Sequence, residues 1–156
     1  MKEKFLNAYM DVAERFAELS SARRLHVGAI VVKDDRIISI GYNGMPAGWD
    51  NNCEYEVTEF QTEYGVGSKL VNTGELKTRP EVLHAETNAI AKLAKSNESG
   101  LGATMFITHA PCLDCAKLIY QSGIGSVLYR DAYRDTGGIT FLEKSGVIVT
   151  QIKKGP

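Results

Sequence analysis

The chain is poor in cysteine, with three among 156 residues, and that scarcity excludes a disulfide-built scaffold. It has no excess of either charge: 18 Lys and Arg stand against 19 Asp and Glu, a formal net charge of −1. A polynucleotide-binding face needs clustered cations, because phosphate contacts dominate such affinity. Only Arg23-Arg24 and Lys153-Lys154 cluster here, so nucleic acid is not an expected partner and a small anionic ligand fits better. No apolar run approaches the roughly 20 residues that span a bilayer, so no membrane segment is expected. Met1-Lys2-Glu3-Lys4 runs into an amphipathic segment with acidic residues, unlike a secretory leader. These absences together predict a reducing, cytoplasmic location. Internal repeats and low-complexity tracts are missing as well. What remains is one globular domain over residues 1–156, 44% apolar and long enough to bury a core.

Periodicity divides that domain into elements. Phe5, Ala8, Tyr9, Val12, Phe16 and Leu19 recur every three or four residues, which predicts an amphipathic helix. Val27–Val32 and Arg36–Gly41 read as strands of a hairpin turning at Asp34-Asp35. Tyr42–Asn52 is a Gly/Asn/Pro-rich loop. Residues 53–80 lack a clear period and carry Gly65, Gly67 and Gly74, which predicts a loop-rich insertion with one short helix. Three more strands follow at Ala103–Thr108, Ser126–Arg130 and Gly146–Ile152, with a helix over Thr140–Lys144 before the last. Strands alternating with helices imply a mixed sheet covered on both faces.

Two short segments carry chemistry. His84-Ala85-Glu86 and Pro111-Cys112-Leu113-Asp114-Cys115 supply three soft metal ligands and one further carboxylate. A catalytic zinc takes three protein ligands and keeps a fourth position open, which His84, Cys112 and Cys115 satisfy. Glu86 is then free to act as a general acid and base on a water whose ionisation zinc promotes. Both segments open onto helical patterns, where a helix N-terminus favours thiolate charge. Three other readings compete. A lone C-x-x-C could be a redox pair, but such pairs carry no H-x-E. A closed structural zinc would need a fourth ligand from Cys53, His26 or His109. A non-enzymatic zinc module that binds nucleotides or proteins would gain nothing from an unligated Glu86.

H-x-E with P-C-x-x-C is the general signature of zinc nucleobase deaminases, and the chain resembles the deoxycytidylate (dCMP) deaminase family. The likeness extends through Val27-Gly28-Ala29, Gly41-Tyr42-Asn43-Gly44-Met45-Pro46-Ala47-Gly48, His84–Ile90 and Pro111–Ile124. Transfer RNA adenosine deaminases share the zinc core but usually place Gly-Ala after the second cysteine, where this chain has Ala116-Lys117.

The resemblance implies an α/β fold, a cytidine deaminase-like three-layer α/β/α sandwich around a five-stranded mixed sheet. It implies hydrolytic deamination of dCMP to dUMP, supplying thymidylate synthesis. dCTP, free cytidine or deoxycytidine, and a tRNA base are alternative substrates of the same chemistry. It assigns Asn43 to the sugar hydroxyl, Ala85 to the pyrimidine edge and Tyr133 to packing on the base. Ser20 and Arg23 are assigned to the phosphate, while Arg24 and Gly44 are assigned to a regulatory site. A homohexamer activated by dCTP and inhibited by dTTP, with Mg2+ on the triphosphate, is also implied. Some family members hold a second, structural zinc through cysteines before the Val-Gly-Ala strand. Ser21–His26 has none, so one zinc per subunit is expected, with Cys53 a free, partly buried thiol and His26 and His109 hydrogen-bonded.

Overall fold

A computed structural model describes residues 1–65 and 67–155. Its central sheet has the order β2-β1-β5-β6-β7, from β1 (Gly28–Lys33), β2 (Arg36–Tyr42), β5 (Thr104–His109), β6 (Ser126–Asp131) and β7 (Ile148–Gln151). β1 is antiparallel to both β2 and β5, while β5, β6 and β7 run parallel. The mixed sheet follows from the connections. Asp34 and Asp35 both take positive φ, 51° and 59°, the backbone of a tight two-residue hairpin. The parallel strands need crossovers, which α3 (Leu113–Gln121) and α4 (Gly137–Lys144) provide.

Because side chains alternate along a strand, the two faces carry separate cores. Ala29, Val31, Met105, Ile107 and Val127 face Ala85, Ala89 and Leu93 of α2 (Ala85–Ala94), together with Ala116, Ile119 and Leu142 of α3 and α4. Ile30, Val32, Phe106 and Leu128 face Met10 and Ala13 of α1 (Glu3–Ala17). The result is the three-layer α/β/α sandwich expected. β7 is shorter than expected and α4 begins earlier, because Gly137-Gly138 hides a helix start in the sequence.

Residues 53–80 correct the sequence reading. The described residues of this segment form neither a loop-rich stretch nor a helix but a long β-hairpin, β3 (Glu54–Glu63) and β4 (Gly67–Thr78), which pair only with each other among the described residues. Gly65 and Gly67 turn it with φ of 90° and 89°. Most of both faces meets water, Phe60 being 75% exposed. The apolar–polar alternation that marks a half-buried strand is therefore absent.

Two glycines let the elements that carry the site approach closely. A Cβ on Gly41 in β2 would lie 2.1 Å from Ala85 O, and one on Gly138 in α4 would lie 2.0 Å from Pro111 O. β2 is also stitched to α2 by Ser39 Oγ donating to Ala89 O at 2.7 Å and Lys92 Nζ donating to Ile40 O at 2.7 Å. Gly41→Ala must push this helix off the sheet, an overpacking cost of about 1–3 kcal/mol. A fall in the thermal midpoint, followed by circular dichroism, is the expected outcome. An unchanged midpoint would show that the strand and helix can yield.

Candidate active site

The two motifs sit at matching positions. His84 is the N-cap residue of α2 and Cys112 that of α3, each in extended backbone conformation. Neither side chain caps its own helix. They turn toward each other instead. His84 Nδ1 lies 3.3 Å from Cys115 Sγ and 3.7 Å from Cys112 Sγ. The three ligand atoms fall within 4.8 Å of one another, the only such His/Cys/Asp/Glu group among the described residues. Tetrahedral zinc, with bonds of about 2.3 Å to sulfur and about 2.0 Å to nitrogen, needs nitrogen–sulfur separations of about 3.5 Å. The observed pair brackets that value, so the donor set fits the ion in chemistry and in size.

Electrostatics reinforce the fit. Hydrogen bonds from Cys115 and His84 pull the Cys112 thiol down to about 4, so it is a thiolate at neutral pH. Cys115 is pushed far up by its bond to Cys112 and by burial. His84 is raised chiefly by its hydrogen bond to Cys112. Protons thus bridge the trio where a metal cation would sit. Glu86, in the first turn of α2, is 4% exposed. Burial raises its carboxyl to about 7, against the pull of His84 and Cys115. A carboxyl poised there can take and return a proton at neutral pH.

His84, Cys112 and Glu86 line a cavity of about 350 Å3, together with Asn43, Ala85, His109, Tyr133, Arg24 and Arg134. Asn43 is held at both ends, its Oδ1 accepting from Val27 N at 2.8 Å and its Nδ2 donating to Leu25 O at 2.8 Å. One N–H and one lone pair remain for a ligand. Gly44 exchanges backbone hydrogen bonds with Leu83, at 3.1 and 2.8 Å, directly before His84. Thr108 Oγ1 accepts from Gly28 N at 3.1 Å and shares a hydrogen bond with His109 Nδ1, 3.0 Å away. Burial holds this imidazole below its ordinary value.

Two expected contacts are not part of the cavity wall. Ser20 is buried, with its hydroxyl donating to Asn43 O at 2.7 Å, so it supports the Asn43 loop from behind. The Arg23 guanidinium turns to Glu54 and Asn52. Arg24 is the member of the pair on the wall, its Nη1 donating to Thr78 Oγ1 at 3.2 Å. Sequence reasoning missed Arg134, although it directly follows Tyr133, and missed Glu54 and Thr78 in the hairpin. Cys53 is a buried thiol whose pKa burial raises, and His26 Nε2 bonds Ala22 O at 2.6 Å. No helix among the described residues is long and apolar enough to cross a membrane.

Comparison with known proteins points the same way. Residues 3–130 match the family described as the cytidine and deoxycytidylate deaminase zinc-binding region. The deoxycytidylate deaminase of Enterobacteria phage T4 is 32% identical over 93% of this chain and 88% of its own length. The human deoxycytidylate deaminase is 36% identical over 85% of this chain and 68% of its own. The structure of the dCMP deaminase from cyanophage S-TIM5 in complex with dCMP and dUMP superposes with a TM-score of 0.81. It shares 44% identity and covers 97% of this chain and 99% of that one.

Proposed function

The chain belongs to the cytidine and deoxycytidylate deaminase zinc-binding family, and from that premise we propose that it hydrolyses dCMP to dUMP and ammonia. The observation that carries the reading is Glu86, a buried carboxyl of pKa about 7 that sits beside a metal-binding trio without being one of its members. Zinc held by His84, Cys112 and Cys115 supplies one thing when bound, a water acidified to a pKa near 7. Glu86 takes the proton that water gives up. It returns that proton to the ring nitrogen beside the amine-bearing carbon, then takes the second proton from the oxygen now bonded to that carbon and passes it to the departing amine. Water's oxygen stays on the ring and ammonia leaves, so atoms and charge balance.

The remaining residues orient the nucleotide. The free N–H and lone pair of Asn43 suit a sugar hydroxyl, the Ala85 backbone meets the pyrimidine edge, and Tyr133 covers the base. Arg24 and Arg134 line the same cavity and meet the phosphate, with Ser20 and Arg23 acting as supports behind it. Regulation by dCTP and dTTP with Mg2+, a homohexamer, one zinc per subunit, a cytoplasmic location and a role in supplying thymidylate synthesis complete the reading. Supporting the regulatory part, the Gly44–Leu83 bridge ties the Gly41–Gly48 loop to the residue preceding His84.

An absorbance assay on dCMP, dCTP, CMP and deoxycytidine, each with and without dCTP or dTTP, tests this. kcat/KM for dCMP should exceed that for deoxycytidine by about 100-fold, the loss of about two hydrogen bonds between charged groups when Arg24 and Arg134 have no phosphate to meet. Equal turnover of both removes the phosphate assignment, and a flat dCTP/dTTP titration removes regulation.

A further inference from the structure

Glu54 is the first residue of β3, lies in the cavity wall, and is 1% exposed. A carboxylate so buried is costly unless its oxygens are satisfied. Here they are satisfied by one short stretch of chain. Oε1 accepts the backbone N–H of Arg23 at 2.7 Å and that of Arg24 at 3.1 Å. Oε2 receives Arg23 Nε at 3.4 Å, and Arg23 Nη2 also reaches Glu54 O at 3.3 Å. Two successive amides converging on one oxygen fix the backbone between them, and with it the direction in which the Arg24 side chain leaves. Thr78, the cross-strand partner of Glu54, holds the other end by accepting from Arg24 Nη1. The root of the hairpin therefore grips Arg24 at both its backbone and its guanidinium, within the wall of the substrate cavity.

We propose that Glu54 is a positioning residue for the anionic end of the substrate, acting through Arg24 to set affinity for a nucleoside monophosphate. It touches neither the metal ligands nor Glu86. Its effect belongs to binding of the phosphate and is absent for a substrate that has none. The proposal rests on the reading of this cavity as a nucleoside monophosphate site.

The test is steady-state kinetics of the zinc-loaded protein on dCMP and deoxycytidine, for the unaltered chain, Glu54→Ala, Glu54→Gln, Arg24→Ala and the Glu54→Ala/Arg24→Ala pair. Glu54→Ala is expected to raise KM for dCMP about tenfold, the loss of roughly one hydrogen bond to a charged group. Its kcat should stay within about twofold and its KM for deoxycytidine should not move. Glu54→Gln retains the accepting oxygen and should restore most of the affinity. In the Arg24→Ala background Glu54→Ala should add nothing. Parallel rises in KM for both substrates, a fall in kcat, or multiplying effects in the double variant would each overturn the proposal. An unaltered protein that does not prefer dCMP removes the substrate reading itself. A preference for dCMP that Glu54→Ala leaves undiminished removes only the role of Glu54. If Glu54→Ala does not fold, Thr78→Val reads the same arm: a higher KM for dCMP alone supports the proposal, and no change in KM opposes it.

Discussion

Replacing Glu86 by Gln is expected to cut kcat by about 10²–10⁴-fold, the usual worth of a positioned general acid–base. The zinc content and thermal midpoint should hold. The amide has the same shape, so the packing under the first turn of α2 survives, and Glu86 is not among the three ligands. What it loses is the proton. Burial places the carboxyl near 7, so that in the metal-free protein the base form fills as pH rises through neutrality. A bound dication favours the ionised carboxyl and moves that limb lower. The pH profile of kcat/KM should accordingly show an acid limb below 7, and Gln should abolish it. Turnover within tenfold of the unaltered protein, with metal analysis confirming full loading, would strip Glu86 of its role.

The local parts of this site were legible in the sequence because each pair of functional residues sits at a helix start. His84 and Glu86 are two residues apart at the head of α2, and Cys112 and Cys115 three apart at the head of α3. Each head opens onto an apolar pattern at helical spacing. The phosphate end was not legible in the same way. Arg23 and Arg24 are neighbours of identical type, and nothing local says which one enters the cavity. The decision is made by Glu54, about thirty positions away, which takes the Arg23 side chain for itself and leaves Arg24 facing inward. Glu54 was hidden in turn, because it lies at the root of a hairpin whose exposed faces carry no periodic signal. Contacts set by tertiary pairing, not by spacing, are the ones a single sequence conceals.

Stripping the metal should abolish activity, and reloading should tighten steeply with pH. The sign follows from the protons the trio holds. Without metal, Cys112 is already a thiolate at neutral pH because hydrogen bonds from Cys115 and His84 hold it near 4. Cys115 keeps its proton, its pKa driven up by the bond to Cys112 and by burial, and His84 is raised as well. Zinc needs two thiolates and a neutral imidazole, so binding must expel the Cys115 proton and, at lower pH, the His84 proton too. Apparent affinity should rise by about tenfold per pH unit for each proton displaced, and the metal should be lost on acidification. Competition against a chromophoric chelator between pH 6 and 8, with total zinc counted, checks both slope and stoichiometry. Two zincs per chain or a flat slope would refute the assignment. The metal also pins the heads of α2 and α3 together, so the same titration should raise the thermal midpoint by mass action. A midpoint that ignores zinc would mean that the folded chain binds the ion no better than the unfolded chain does, and would refute the site.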